Sequence, residues 1–440
     1  MINNGNLNTN AGSEKLLILG SDYGTLDIVK EAKRMGLYVI VSDLMTTSPT
    51  KEAADEAWLI STTDIDLLEQ RCKEEGIRAV LTGASDFNIA RSRELCKRLN
   101  LPVYCQSDRA WEVATNKRAF KDLCKEVGAP VAKDYILSEN VSAEELAAIE
   151  YPVVCKPVDK SGNRGMSYCA NESELLEAVR YARSVSDNPT IIVERELHGP
   201  EFAVNYILAD GEINLLFFSS EHNQPGELDN LYSVIITTSQ HLKQYLEEVN
   251  DKVIDVFKAA GCRDGVAWVE CMLDRDGHFY LLEMGYRFGG ETVNIPYEKV
   301  CGFNSIRWMI EHAIGIQHTE KDLPVKLTDA YQACAATYML FATHDGVIGN
   351  IEGLAAIEAL PNVQVDMPKR AGGSVRYHAT MGIVHIHAKD IEEMCDTIAK
   401  VNALLKITDT NGEDMFIYYD DYAALRQEYY AGMQEFSLGE

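Results

Sequence analysis

The chain has little positive charge and no long apolar run. Its 440 residues contain 41 Lys and Arg against 68 Asp and Glu, which gives a formal net charge of -27. This charge repels phosphate backbones and anionic membrane surfaces, so the composition argues against nucleic-acid and membrane partners. No apolar run reaches the roughly 18 residues of a membrane-spanning helix. Residues 1–14 are polar, which predicts a loose tail rather than a leader.

Closely spaced cysteine pairs are also absent. The eleven cysteines are spread from Cys72 to Cys395 without a CxxC pair, which favours reduced thiols in a cytoplasmic protein over a disulfide framework. Most are interpreted as small core residues. A nucleophilic role for Cys155 or Cys169 is disfavoured, because no Cys-His-Asx arrangement accompanies them.

Common nucleotide-binding spacings are missing as well. Gly20 and Gly24 lie at the first strand-to-helix turn, but their spacing departs from GxGxxG. NAD binding is therefore disfavoured relative to a glycine turn that shapes a substrate crevice or only closes the loop. The later glycine loop of residues 160–166 does not have the Walker spacing.

What the chain does have is alternating strand and helix patterns. From Lys15 to about residue 107 they predict a parallel α/β domain, including a last strand at LPVYCQS. Residues 108–318 predict a mixed α+β domain, in which residues 190–211 read as strand. Residues 319–440 predict a smaller α+β domain.

The stretch VVCKPVDKSGNRGMS contains a lysine at the end of an apolar strand and a glycine loop with two more cations. Glycines allow backbone N–H groups to approach phosphate, while cations neutralise its charge. Lys156, Lys160 and Arg164, with Gly162 and Gly165, therefore form a candidate polyphosphate site. A solvated hairpin is the alternative for the loop.

Two carboxylates lie in VERELHGPEFAV. Glu194 and Glu201 are suited to accept hydrogen bonds from an adenine amino group or from ribose hydroxyls, and backbone groups beside Leu197 to read the purine edge. A solvated hairpin again remains an alternative.

Two more carboxylates lie on adjacent predicted strands. If AWVECML and FYLLEMG form a hairpin around DRDG, Glu270 and Glu283 meet on one face. Oxygen ligands close to phosphate favour Mg²⁺, and Arg287 is placed to stabilise a transferring phosphoryl group or to clamp a substrate carboxylate. A hairpin with charged rims is the alternative.

Several histidines and one arginine stay without a definite role. His222, Arg376 and His378 are candidates for contacts with a substrate, although an exposed loop or a capped strand explains each equally well. His385 and His387 share one strand face, but without a third ligand they are interpreted as structural.

The ordered set of lysines and glutamates resembles the ATP-grasp ligase superfamily from about residue 15 to 320. Residues 346–375 look like the closing domain of amino-acid ligases in that superfamily. The resemblance implies a Rossmann-like pre-ATP-grasp domain at 15–107, an ATP-grasp domain at 108–318 and a C-terminal α+β domain at 319–440.

The resemblance also implies residue roles. Lys117 and Lys156 would hold ATP phosphates, with the loop from Lys160 to Met166 closing over them. Glu194 and the Leu197 backbone would bind adenine, and Glu201 the ribose. Glu270 and Glu283 would bind Mg²⁺, with Mn²⁺ as a substitute, while Arg287 and Lys156 act in catalysis.

One position departs from the family pattern. Many members carry Asn two residues after the second metal glutamate, where this chain has Gly285. A water or another side chain such as Asn294 would have to replace that ligand, so the number of metal ions stays open.

The reaction implied is ATP-dependent joining of a carboxylate to an amine through an acyl phosphate, with release of ADP and phosphate. The partners would be small molecules, and a homodimer is compatible with related ligases. Two alternatives remain. One is carboxylation or carbamoylation through carboxyphosphate, as in biotin carboxylase or carbamoyl-phosphate synthase. The other is a non-catalytic ATP-binding module.

Overall fold

A computed structural model describes residues 14–22, 24–138, 140–160, 164–188, 190–226, 232–324 and 334–437. The chain divides into two compact units. One consists of the chain up to Tyr104 together with Ile306–Gln317, and the other of Cys105–Ser305 together with His318–Glu440. Of the predicted tail, only Glu14 lies within the described residues. None of the described helices combines the length and the apolar character needed to cross a bilayer.

The first unit contains the predicted parallel sheet, in the order β3-β2-β1-β4. Its elements are β1 Lys15–Leu19, α1 Thr25–Arg34, β2 Tyr38–Ser42, α2 Pro49–Ala53, β3 Glu56–Trp58, α3 Ile65–Glu75, β4 Ala79–Thr82 and α4 Asp86–Leu99. The strand predicted at LPVYCQS is wrong, because residues 101–107 form no strand. Pro102 has no N–H to donate to a neighbouring strand.

The second unit begins with two helices and a small antiparallel sheet of order β5-β8-β6-β7. These elements are α5 Asp108–Thr115, α6 Lys117–Val127, β5 Asp134–Tyr135, α7 Ala143–Ala147, β6 Val153–Pro157, β7 Ser167–Cys169, α8 Glu172–Val185 and β8 Ile191–Arg195. Helix α6 starts where the Asn116 side chain accepts hydrogen bonds from the amides of Arg118 and Ala119, and it ends at left-handed Gly128.

A second, eight-stranded sheet has the order β13-β12-β9-β10-β11-β14-β18-β16. Its first five strands in the chain, with the nearby helices, are β9 Glu201–Ala209, β10 Glu212–Asn223, β11 Tyr232–Thr237, α9 Leu242–Glu248, α10 Asn250–Ala260, β12 Gly265–Leu273 and β13 Phe279–Gly285. The continuous strand predicted for residues 190–211 is therefore wrong, because residues 196–200 separate β8 from β9. Pro200 and Gly199 are typical of such a break.

The remaining elements follow in the chain; three of their strands extend this sheet, and residues 306–317 belong to the first unit. They are α11 Asn294–Cys301, α12 Ser305–Ala313, a 3-10 helix at Glu320–Asp322, β14 Cys334–Phe341, β15 Gly346–Glu352, α13 Leu354–Glu358, β16 Val363–Asp366, β17 Ser374–Val375, β18 Thr380–Ala388, α14 Ile391–Leu404, β19 Lys406–Asp409 and α15 Tyr422–Ser437. Strands β17, β15 and β19 form a third small sheet. The domain boundary predicted at residue 318 stays a prediction, and strands from both sides of it share the eight-stranded sheet.

Candidate active site

A cavity of about 670 Å³ lies in the second unit. Residues of the small antiparallel sheet and of the eight-stranded sheet line it. Ten of the residues singled out in the sequence line it: Lys117, Lys156, Lys160, Arg164, Met166, Glu194, Leu197, Glu201, Glu270 and Glu283. Gly165 and Arg287 are not among the lining residues. Gly162 lies outside the described residues.

The lysine on β6 is paired across the small sheet. Lys156 and Glu194 lie on the same face of neighbouring strands, since Val154 is opposite Glu194, and their side chains form an ion pair. Glu194 also pairs with Lys121 of α6, which is 1% exposed. Burial acts to raise the pKa of Glu194, but the two lysines outweigh it and hold the pKa at about 2.

Lys121 was not predicted from the sequence. Burial lowers the pKa of its ammonium, and the Glu194 charge opposes that shift. The available signal is its spacing of four residues from Lys117, which places both lysines on one face of α6. The structure therefore adds a second cation to the Lys156–Glu194 pair.

The metal-ligand candidates meet as the sequence predicted. Strands β12 and β13 form the hairpin, with Glu270 opposite Glu283. Lys117 forms an ion pair with Glu283. Carboxylate oxygens from two adjacent strands are ligands that Mg²⁺ prefers, so this pair fits the ion.

The carboxylates continue across the sheet. Met272 lies opposite Glu201, which puts Glu201 on the same face as Glu270, and the pairing of Ser220 with Phe202 puts Glu221 next to Glu201. We call Glu201, Glu221, Glu270 and Glu283 the carboxylate row. All four line the cavity.

Burial, together with neighbouring like charges, raises the pKa of three members of the carboxylate row, Glu201, Glu221 and Glu270. Burial raises the pKa of Glu201 to about 8, with Glu270 adding to the shift and Lys156 opposing it. Burial also raises the pKa of Glu221, and the charges of Glu270, Glu201 and Glu291 act in the same direction. The row therefore favours a bound cation at neutral pH.

The segment from Glu196 to Pro200, which we call the hinge, connects the two sheets. Asp274 holds it: Oδ1 accepts a hydrogen bond from the His198 amide at 2.8 Å, and Oδ2 accepts one from the Arg195 guanidinium at 2.7 Å. A Cβ at Gly199 would overlap the Leu273 carbonyl. The hinge backbone beside Leu197 is therefore fixed against β12.

Gly165 shapes its loop from outside the cavity. Its φ is +86°, and an added Cβ would lie 2.6 Å from the Val185 side chain. Both observations require glycine. Its neighbours Arg164 and Met166 do line the cavity.

Gly285, the last residue of β13, is the position that departs from the family pattern. A Cβ at Gly285 would overlap the Trp268 indole, and the Arg287 guanidinium stacks over that ring at 5.0 Å. The Arg287 charge also opposes the rise in the pKa of Glu270. Asn294 begins α11 and is not among the residues lining the cavity.

All residues that line the cavity lie within a segment that matches a known family. Residues 116–321 match a family model described as "Carbamoyl-phosphate synthase L chain, ATP binding domain". The carbamoyl phosphate synthase large chain of Thermoanaerobacter sp. is 23% identical over 337 residues, which cover 71% of this chain and 31% of that protein. The 2-oxoglutarate carboxylase small subunit of Hydrogenobacter thermophilus is 22% identical over 336 residues, covering 70% of this chain and 69% of that protein. The chain thus spans about a third of the carbamoyl phosphate synthase relative.

Solved structures share the fold. L-amino acid ligase from Bacillus licheniformis has a TM-score of 0.74 at 21% identity, covering 90% of this chain and 99% of that one. The biotin carboxylase domain dimer of Hydrogenobacter thermophilus 2-oxoglutarate carboxylase, in complex with MgADP, ADP and bicarbonate, has a TM-score of 0.71 at 18% identity and covers 91% of each chain. Residues 116–321 therefore resemble an ATP-grasp domain in their family match, and the chain shares the fold of these structures.

The family match and the shared fold confirm the resemblance seen in the sequence. The His222 side chain points away from the carboxylate row. Its neighbour Glu221 belongs to the row, and successive residues of β10 face opposite sides of the sheet. The His222 ring lies 3.0 Å from the Glu428 carboxylate of α15 and 3.1 Å from the Ser220 hydroxyl. The suggested substrate role of His222 therefore has no support within the cavity.

The other residues without a definite role also lie apart from the cavity of the ATP-grasp domain. Arg376 and His378 are not among its lining residues. Among the described residues, the potential three-ligand metal group comprises His344, Asp409 and Glu413, so it does not include His385 or His387. Their structural interpretation stays a prediction.

Proposed function

We propose that the protein is an ATP- and Mg²⁺-dependent ligase that phosphorylates a carboxylate to an acyl phosphate and joins it to an amine, releasing ADP and phosphate. The observation that carries the proposal is one cavity in which Lys117 and Lys156 lie with the carboxylate row. Phosphoryl transfer requires positioning and charge neutralisation more than covalent help from the protein.

The proposed roles follow from charge and position. Lys117 and Lys156 bind the phosphates, exchanging their carboxylate partners for phosphate oxygens, and Lys160 and Arg164 approach from the loop. The hinge backbone beside Leu197 binds adenine, with Glu194 close by, and Glu201 binds the ribose. Glu270 and Glu283 hold Mg²⁺, which neutralises phosphate charge when bound; Mn²⁺ has the same ligand preferences.

The two chemical steps place different demands on these residues. The substrate carboxylate attacks the terminal phosphorus of ATP, and the resulting acyl phosphate must be kept from water until the amine attacks its carbonyl carbon. Arg287 stabilises the acyl phosphate, and the loop around Gly165 closes over the site.

A second candidate is chemistry through carboxyphosphate. It is supported by the similarity to the carbamoyl phosphate synthase and 2-oxoglutarate carboxylase chains. Bicarbonate would then replace the organic carboxylate as the acceptor of the phosphoryl group.

The test is Mg²⁺-dependent ADP release across amino acids and small carboxylates, singly and in pairs, with and without bicarbonate. Release that needs a carboxylate and an amine together supports the ligase, and release with bicarbonate alone supports carboxyphosphate chemistry. ADP binding without any release would leave a binding module.

A matched pair of variants ties the activity to the carboxylate row. We expect Glu283→Gln to lower kcat at least 100-fold, because a ligand of Mg²⁺ is lost. Glu212→Gln, at the exposed far end of β10, should leave ADP release unchanged. Unchanged turnover in the Glu283 variant would contradict the proposal.

A further inference from the structure

A histidine and two carboxylates come together outside the cavity of the carboxylate row. His344 lies in the loop between β14 and β15, Asp409 is the last residue of β19, and Glu413 follows four residues later. One possible ligand atom from each residue lies within 4.8 Å of the other two. None of the three residues lines the cavity, so this group is separate from the proposed nucleotide and Mg²⁺ site.

The backbone holds this group in place. Asp409 and Glu413 flank a tight turn, in which the Asp409 amide donates to the Glu413 carbonyl at 2.9 Å. Asp409 Oδ1 accepts hydrogen bonds from the Asn411 and Glu413 amides, each at 2.8 Å, and Oδ2 accepts one from the Asn411 side chain at 3.0 Å. The loop after β14 is attached here, because the Thr343 amide donates to the Met415 carbonyl at 3.0 Å. Oδ2 therefore keeps a lone pair for a further partner.

The hydrogen bonds around the histidine leave one ring nitrogen as an acceptor. The Thr343 hydroxyl donates to the Asp414 carbonyl at 3.0 Å, since a carbonyl can only accept. Its single hydrogen is then used, so at its 2.8 Å contact with His344 Nδ1 the hydroxyl accepts. Nδ1 therefore carries a hydrogen, and in the neutral ring Nε2 has the free lone pair. Histidines that bind metal ions have this arrangement, with the second ring nitrogen donating to a protein group.

The free nitrogen faces uncompensated negative charge. His344 Nε2 is buried and has no hydrogen-bond partner in the described residues, although a third of the side chain is exposed, and it lies 3.7 Å from Asp409 Oδ2. Asp409 is 7% exposed. In the described part of the chain, neither Asp409 nor Glu413 is paired with a lysine or an arginine. Buried charges are normally paired or coordinate a metal ion, so this group lacks a cation.

The spacing and the atom types indicate which cation fits. In a tetrahedral zinc site with bonds of about 2.0–2.2 Å, neighbouring ligand atoms lie about 3.4 Å apart. The 3.7 Å between His344 Nε2 and Asp409 Oδ2 is close to this value. Glu413 is exposed, so its side chain can complete the approach. An imidazole nitrogen suits Zn²⁺ and similar transition-metal ions, whereas Mg²⁺ and Ca²⁺ prefer oxygen ligands.

We propose that His344 Nε2 and the carboxylates of Asp409 and Glu413 bind one divalent transition-metal ion, represented by Zn²⁺. Water completes the coordination on the exposed side of Glu413. The ion links the loop after β14, a strand of the eight-stranded sheet, to the end of β19 in the third sheet. It therefore stabilises the folded C-terminal segment. The inference does not rest on the proposed ligase function, because its three ligands lie outside the cavity.

Calorimetric titration of the full chain with Zn²⁺ tests the site, with excess Mg²⁺ and ADP present to occupy the carboxylate row. We expect one Zn²⁺ per chain. His344→Gln should weaken Zn²⁺ binding at least about 100-fold, because losing only an outer partner of a ligand already costs 10–100-fold. Glu413→Gln should weaken it at least about tenfold. His278→Gln is the matched control, since His278 lies 3.9 Å from a single carboxylate, that of Glu248, and should stay within twofold of the wild type.

Thr343→Val tests how the ring is positioned, because it removes the hydroxyl and keeps all three ligands. We expect about tenfold weaker Zn²⁺ binding. Long-range proton–nitrogen NMR spectra report the tautomer directly. The chain has ten histidines, and the ring signals missing from His344→Gln identify His344. In the metal-free wild type Nε2 should be the unprotonated nitrogen, and its resonance should shift on addition of Zn²⁺. An unprotonated Nδ1 instead would overturn the proposal.

Thermal unfolding supplies a measurement independent of activity. Zn²⁺ should raise Tm of the wild type and of His278→Gln, but not of His344→Gln. A cooperative transition without Zn²⁺ shows that each variant is folded; if His344→Gln fails this check, the exposed Glu413→Gln decides the question. The site is wrong if the wild type binds no Zn²⁺ beside Mg·ADP, or if the folded ligand variants bind Zn²⁺ as tightly as the wild type.

Discussion

At the scale of single residues, the most consequential contact is the buried triad of Lys121, Glu194 and Lys156. Glu194 is shared by two ammonium groups, so each lysine is held less tightly than in a simple pair. This sharing matters for the proposed function, because Lys156 must leave Glu194 in part to bind phosphate.

We therefore expect Lys121→Met to weaken ADP binding roughly tenfold, since a charge-assisted hydrogen bond is at stake and 1.4 kcal/mol corresponds to a factor of ten. Without Lys121, Glu194 holds Lys156 as its sole partner and withdraws it from the nucleotide. Calorimetric titration with Mg·ADP measures the change. Lys125→Met, one turn further along α6 and paired with Asp134, is the control. Equal or tighter binding by Lys121→Met would show that the triad does not regulate Lys156.

The sequence predicted those residues of the cavity that have strong local signals. Lys156 ends an apolar strand beside a glycine loop, and Glu270 and Glu283 flank a turn, so short-range patterns were sufficient. Lys121 and Glu221 carry no such signal. The partner of Lys121 lies 73 residues away in the chain, and Glu221 gains its neighbours only through strand pairing.

At the scale of elements, the hinge separates the two sheets at the point where the sequence suggested one long strand. Apolar runs lie on both sides of it, so the hydrophobic pattern alone does not reveal the break. The structure shows what fixes the hinge instead: Asp274 at the end of β12 accepts from the His198 amide and from Arg195.

Asp274→Asn should loosen the hinge. The amide retains an acceptor oxygen but loses the charge that holds Arg195, so hydrogen exchange at the His198 amide should become faster. We expect about a fivefold weaker affinity for ADP, because the adenine would meet a less ordered backbone. Exchange mass spectrometry and calorimetry measure the two effects. Asp276→Asn, which alters the longer 3.5 Å pair with Arg195, should change both much less; equal effects would contradict a specific role for Asp274.

At the scale of the whole molecule, the feature not readable from the sequence is the extent of the central sheet. Strands β14, β18 and β16 follow residue 318, yet they continue the sheet that carries Glu201 and Glu221. Strand β11 pairs with β14 across about a hundred residues, and hydrophobic patterns within single strands do not specify such distant partners. The C-terminal segment was correctly predicted to contain strands and helices, while its attachment to the central sheet was not predicted.

The carboxylate row makes the free energy of unfolding depend on pH, and this dependence can be tested. The net charge of -27 contributes to it as well. The folded pKa of Glu201 is about 8, above its ordinary 4.5, and those of Glu221 and Glu270 are raised as well. The folded state therefore binds more protons than the unfolded state between these values. The stabilisation that these bound protons give to the folded state is therefore complete below about pH 4.5. It is lost as the pH rises through about 8.

Thermal unfolding at pH 5.5 and pH 8, with and without Mg²⁺, tests this link. We expect Tm of the wild type to fall between the two pH values, and Glu201→Gln to reduce that fall by several degrees, because one group that must lose its proton is absent. Mg²⁺ should raise Tm more at pH 8, where a larger fraction of the row is ionised and the cation competes with fewer protons, than at pH 5.5. Glu212→Gln should behave as the wild type.

A fall in Tm that Glu201→Gln does not reduce would mean that the exposed acidic residues, rather than the carboxylate row, determine the pH dependence. An equal Mg²⁺ effect at both pH values would mean that the ion binds elsewhere.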